Sequence, residues 1–150
     1  MSEIKIIPLG GVRENGKNMY VVEVDELIFV LDCGLMYPDN ELLGIDVVIP
    51  DFTYLEENKN RIAGIFLTHG HEDAVGALPY FLENIDAPVF GTELTIELAK
   101  ISVKSTGLNP NFNNYHVINE KTEIEFDNVT VKFFRTTHSI PDSVAICLDT

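Results

Sequence analysis

The sequence contains no run approaching the ~20 consecutive apolar residues that a membrane-spanning helix needs. Its start, Met1-Ser2-Glu3-Ile4-Lys5, lacks the basic-then-apolar pattern of a secretory signal. A cytoplasmic protein with no membrane partner is therefore expected. Cysteine is scarce: Cys33 and Cys147 each sit in an apolar run, so buried thiols are expected rather than a disulfide. Basic residues are few, 10 against 24 acidic ones, giving a formal net charge of −14. A field of that sign repels a phosphate backbone unless a local basic patch or bound cations reverse it, which counts against a free-standing nucleic-acid binder. It is compatible with a metal enzyme, because bound dications are often the largest local charges in a site. Internal repeats, low-complexity tracts and Pro/Ser-rich linkers are missing too, so nothing marks a second domain within the 150 residues. The glycine-rich segment Pro8 to Asn18 has neither the lysine spacing of a phosphate-binding loop nor the three-glycine dinucleotide pattern. It reads as a hairpin loop in preference to a rim contacting substrate.

Apolar runs rich in Val, Ile and Phe dominate what is present. Strands are predicted at Ile4 to Leu9, Asn18 to Val24 and Leu27 to Leu31, with Asp25-Glu26 as a tight connection. Pro38 to Asp51, with two prolines, Gly44 and several acids, reads as an irregular surface excursion. Ile62 to Thr68 is a buried strand, and Gly76 to Asn84 is helical with Leu78, Phe81 and Leu82 on one face. A clearer helix follows. Thr92 is its candidate N-cap, Leu94, Leu98 and Ile101 its apolar stripe, and Gly107 its end, while Glu93, Glu97, Lys100 and Lys104 make a solvated face. Beyond a polar loop at Asn109 to Asn114, strands resume at Tyr115 to Ile118. Alternation at Ile124, Phe126, Val129, Val131 and Phe133 around Asp127-Asn128 marks a hairpin, and Val144 to Leu148 is the last run. Strands, then helices, then strands predict an α/β layered fold.

Two of the four histidines fall in Thr68-His69-Gly70-His71-Glu72-Asp73-Ala74, directly after a buried strand and before a helix. Imidazole and carboxylate suit zinc, and short spacings in a turn let several such side chains converge on one ion. Gly70 is read as relieving crowding between the two imidazoles. The competing reading makes the histidines hydrogen-bonding groups and Glu72 and Asp73 helix-start acids. His138 lies beyond the strand Val131 to Arg135, in a loop stiffened by Pro141, where a third ligand from across a sheet would have to be. Asp32, at the end of Phe29-Val30-Leu31, can orient metal-binding side chains without touching the ion, or simply accept backbone N–H groups at a turn. His116, in an apolar strand, is read as a core or surface histidine.

These residues resemble the metallo-β-lactamase superfamily, whose ligand motif is His-x-His-x-Asp-His, and specifically the bacterial ribonuclease J family. Beyond His69, His71 and Asp73, the resemblance rests on Leu9-Gly10-Gly11, Gly16-Lys17-Asn18, Asp32, Glu41-Leu42-Leu43-Gly44-Ile45-Asp46, Val48-Ile49-Pro50-Asp51 and the block Phe133 to Ser143. It implies an αβ/βα sandwich with two zinc ions in a cleft and a β-CASP domain inserted later, of which residues 1–150 would be the first part only. It also implies cleavage of RNA phosphodiester bonds, within the chain or stepwise from a 5′ end. By carry-over, His69, His71 and His138 hold the first zinc and Asp73 serves the second. Asp32 is the supporting carboxylate, and His71 and Asp73 are the residues assigned to catalysis. The histidine that ends the motif is replaced by Ala74, so one zinc site is expected and the second is depleted. That departure resembles a weakly active paralogue that works in complex with an active sister, which makes RNA and such a paralogue, or a second copy of the chain, the expected partners. The block around His138 disfavours a hydrolase of small thioesters or lactams. A first sheet lacking its second would expose a large apolar face, so self-association is expected.

Overall fold

A computed structural model describes residues 1–38 and 44–150. Its strands are β1 (Ile4–Gly10), β2 (Met19–Val24), β3 (Leu27–Leu31), β4 (Ile62–Phe66), β5 (Val89–Gly91), β6 (Tyr115–Val117), β7 (Glu123–Phe126), β8 (Val129–Arg135) and β9 (Val144–Asp149). The helices are α1 (Thr53–Glu57), α2 (Glu72–Val75), α3 (Leu78–Asn84) and α4 (Glu93–Thr106). Strands β1 to β6 form one mixed sheet in sequence order, antiparallel from β1 to β3 and parallel from β3 to β6. A second, antiparallel sheet runs β7-β8-β9.

The period-2 alternation of a strand sends successive side chains to opposite faces, and this divides the core in two. On one face Val21, Ile28, Val30, Ile65 and Val89 meet Leu55 of α1, Leu78 and Phe81 of α3, and Ile96, Ala99 and Val103 of α4. On the other face Phe29, Phe66 and Phe90 meet Val129, Val131 and Phe133 of the second sheet. Phe66 and Phe90 stack at 4.8 Å, and Phe126 of β7 stands edge-on to Phe29 and Phe66. The layers are helices, sheet, sheet.

Three sequence expectations need correction. The second sheet is not missing: β7, β8 and β9 cover the aromatic half of the first sheet's outer face. At the β1–β2 end of that face Ile4 and Ile6, across the ladder from Val24 and Val22, remain exposed at 53% and 67%, as does Tyr20 of β2 at 38%. The stripe Leu94-Leu98-Ile101 is not the buried face of α4. Its buried residues are Thr95, Ile96, Ala99 and Val103, while Ile101 is exposed, because the small Ala99 lets the helix lie close to the sheet. Cys147 is exposed on β9, the edge of a three-stranded sheet with one uncovered face, whereas Cys33 is buried as expected. Smaller shifts place the second strand from Met19, end the fourth at Phe66, and give Glu72–Val75 a helical turn of its own. Within the excursion from Pro38 to Asp51, residues 39–43, with Glu41, Leu42 and Leu43 of the resemblance, lie outside the described residues. Beyond them, Val48 bridges to Met36. Among the described residues no helix is long and apolar enough to cross a membrane.

Candidate metal centre

The parallel strands β3 and β4 end side by side, and the loops leaving them build the site. Asp32 follows β3 with a left-handed backbone (φ 64°), a conformation that Asp tolerates better than most side chains. Its amide donates to Phe66 O at 2.9 Å, and its carboxylate turns to the neighbouring loop. There Oδ1 accepts from the Thr68 amide and Oδ2 from the Thr68 hydroxyl, both at 2.8 Å. Thr68 Oγ1 also lies 2.8 Å from His69 Nδ1, and His69 Nε2 lies 3.1 Å from Asp73 Oδ1. Thr68 was not singled out from sequence. Its signal was a hydroxyl residue immediately before the first histidine.

With Asp32 ionised, this chain of bonds favours one tautomer. An ionised Asp32 can only accept, so the one hydroxyl proton of Thr68 goes to it, and Thr68 accepts from His69 Nδ1–H. His69 then presents a lone pair on Nε2 to Asp73, and two acceptors 3.1 Å apart are stable only with a proton or cation between them. Burial holds His69 below its ordinary value of 6.5, Asp73 opposing that shift and His138 and His71 adding to it, so the neutral, ligand-competent form prevails at neutral pH. Burial likewise pushes the Asp32 carboxyl up to about 7 against the two bonds from Thr68, a shift that a neighbouring cation would counter.

His138 arrives from the other sheet, on the loop between β8 and β9. The base of that loop is joined to the turn that carries His69 and His71, Val144 N donating to Thr68 O at 2.8 Å. Together His69, His71 and His138 offer ring nitrogens that all lie within 4.8 Å of one another. Their ring centroids are 5.1 Å (His69–His71), 4.2 Å (His69–His138) and 5.0 Å (His71–His138) apart. His69 is buried, His71 half-buried and His138 exposed, so the cluster opens to solvent on the His138 side. Three imidazoles with an acidic neighbour fit a divalent cation of borderline softness.

The acids at the start of α2 are not merely helix-start charges. Asp73 faces His69, and Glu72 accepts a hydrogen bond from the Tyr37 hydroxyl, which pushes the Tyr37 pKa up. Ala74 is fully buried in the helix-side core with Cys33 and offers no ligand atom. Gly70 does not separate the two imidazoles; a Cβ there would lie 2.3 Å from Leu98 Cδ1, so its smallness admits the α4 side chain against the histidine-bearing turn. His116 is a surface histidine on the edge strand β6, stacked on Phe90 at 5.0 Å and 2.7 Å from Asn114 Oδ1.

A turn carrying two histidines at the ends of parallel strands thus meets a histidine from the second sheet. The family model of the metallo-β-lactamase superfamily matches residues 12–149, and the chain belongs to that superfamily, which implies a divalent metal. Within it, the chain is 59% identical over its whole length to Ribonuclease J 2 of Streptococcus pyogenes serotype M3, covering 27% of that protein. It is 55% identical over 148 residues to Ribonuclease J 2 of Staphylococcus epidermidis, covering 26% of it. The chain thus spans about a quarter of the length of these curated relatives. Among solved structures, a protein of unknown function from Enterococcus faecalis V583 superposes with a TM-score of 0.73 at 16% identity, over 100% of this chain and 41% of the other. That likeness concerns the fold alone.

Proposed function

We propose that this chain is the amino-terminal portion of a cytoplasmic ribonuclease J-type metallohydrolase acting on RNA phosphodiester bonds, by internal cleavage, from a 5′ end, or both. The β-CASP insert and the remainder of the catalytic domain belong to the rest of such a protein. One zinc ion is held by His69, His71 and His138, and Asp73 is the surviving ligand of a second position that Ala74 leaves incomplete. The observation that carries this reading is the convergence of two histidines from the first sheet and one from the second within 4.8 Å. Bound there, a zinc ion polarises a phosphoryl oxygen and makes a water nucleophilic near neutral pH. The protein groups do the positioning: Asp32 and Thr68 hold His69 in the tautomer that presents Nε2, and Asp73, with a side chain 40% exposed, can take a proton from an incoming water. Elemental analysis of the purified protein should find about one zinc per chain, lost in His71→Ala. No zinc in the unmodified protein would reject the assignment.

Ala74 favours a second reading, a non-catalytic subunit that keeps the fold to bind RNA and an active ribonuclease J paralogue, or a second copy of itself. Two-metal cleavage clamps both the attacking and the leaving oxygen, so a missing ligand should cost turnover as well as affinity. The readings separate on Ala74→His in the full-length protein. A gain in RNA cleavage supports an impaired nuclease, and unchanged inactivity supports the subunit.

A further inference from the structure

Thr92 stands immediately before the first turn of α4 with an extended backbone (φ −66°, ψ 165°), where a threonine hydroxyl ordinarily accepts from an amide two or three residues on. It makes no such bond. The side chain is buried, and Oγ1 lies 2.8 Å from the carbonyl oxygen of Asp142 and 2.9 Å from Thr95 Oγ1. A carbonyl can only accept, so the single hydroxyl proton of Thr92 goes to Asp142, and the fully buried Thr95 hydroxyl donates to Thr92. A helix-capping residue has turned its donor away from its own helix and toward the loop that carries His138.

That loop depends on its base. His138 is exposed, and beside the two other imidazoles its ring meets Ser139 Oγ at 3.5 Å from Nδ1. Thr136 N donates to Ser143 O at 3.1 Å, and Ser143 Oγ donates to Thr136 O at 3.0 Å, closing residues 137–142 into an arch. Asp142, at the end of the arch, has a left-handed backbone (φ 64°) and an exposed ion pair with Arg135 at 3.4 Å. These last contacts all lie within the β8–β9 hairpin. The Thr92 bond ties the arch instead to α4, a helix packed on the far side of the first sheet.

We propose that Thr92 is a positioning residue for the metal centre: by fixing the Asp142 carbonyl to the start of α4, it sets the arch so that His138 stands over His69. The proposal rests on the metal reading above. It assigns Thr92 no contact with metal or substrate.

The test compares the unmodified protein with Thr92→Val, which keeps the shape and removes the donor, Thr92→Ser, which keeps the donor, and His138→Ala. Zinc affinity is measured by chelator competition, the ligand field from the absorption of the cobalt-substituted forms, and loop opening from amide exchange in the metal-free forms. Thr92→Val should weaken zinc about ten-fold while keeping one ion per chain, and should move the cobalt spectrum toward that of His138→Ala. It should also speed exchange of the Thr136 and Val144 amides at least about ten-fold, leaving the Ile96 amide of α4 protected. Thr92→Ser should restore all three readouts. Unchanged exchange at Thr136 and Val144 in Thr92→Val overturns the proposal, as does an equal loss of protection at Ile96, which would make Thr92 a general helix support. If the unmodified protein binds no zinc, the metal reading falls, and amide exchange alone still decides whether Thr92 holds the arch.

Discussion

Asp32 never reaches the histidine cluster, yet it governs which nitrogen of His69 is free. Replacing it with Asn substitutes an NH2 donor for one carboxylate oxygen. The Thr68 hydroxyl would then give its proton to His69 Nδ1, leaving the ring's own proton on Nε2, the atom that should bind metal. Asp32→Asn should therefore weaken zinc by about 10–100-fold with little change in fold, and equal affinities by competition titration would reject the relay. The same carboxyl makes a pH prediction for the metal-free protein. Folding raises its pKa from 3.8 to about 7, so its contribution to stability is fully present below pH 3.8 and is lost as pH rises through about 7. Urea unfolding between these values should show the unmodified protein losing stability relative to Asp32→Asn, no more steeply than ~1.4 kcal/mol per pH unit for one proton. Added zinc should abolish the difference by favouring the ionised carboxylate. A flat difference in the metal-free proteins would show that Asp32 is not raised.

Gly34 shows how closely the elements around the site approach one another. A Cβ at this position would lie 1.7 Å from the backbone oxygen of Asp73 and 2.9 Å from the amide of Asn18, and neither can move independently of its segment. The strand-end loop, the hairpin loop and α2 are laced by backbone bonds at this point, from Gly34 N to Asn18 O and from Asn18 N to Asp73 O. Gly34→Ala should displace α2, with loss of zinc binding and a fall in stability of about 1–3 kcal/mol, as overpacking of a tight site costs. Unchanged zinc content would show that α2 does not set the ligand turn. The glycine-rich hairpin was legible as a loop, but its docking onto the metal motif was not, since the partners lie 55 residues apart along the chain. The face of α4 was misread for a related reason. Helical spacing offers two stripes, and the longer residues Leu94, Leu98 and Ile101 look like the better core. Only the distance to the sheet favours Ala99 and its neighbours, leaving Leu98 to lie against Gly70 beside the ligand turn.

At the level of the molecule, the histidine cluster joins the two sheets, because His138 follows β8 of one and His69 and His71 follow β4 of the other. A cation bound there should act as a clamp, stabilising the folded form by ~2.7 kcal/mol at a free concentration a hundred times its dissociation constant. Thermal unfolding with zinc and with chelator checks this, and His138→Ala should remove the difference; equal midpoints for the unmodified protein would mean that no cation links the sheets. The strand runs, the histidine-bearing turn after β4 and the candidacy of Asp32 and His138 were all readable from residue order. They rest on local periodicity and on residue types that few packing roles would place together. The tertiary structure decided the rest: that β7 to β9 cover the first sheet, that Ala74 faces the core, that Thr68 relays Asp32 to His69, and that Thr92 bonds to Asp142 across 50 residues. Each of these depends on which surfaces meet. Local pattern specifies elements and their apolar faces, whereas the partner of each face and of each hydroxyl proton follows from close packing of segments distant in the chain.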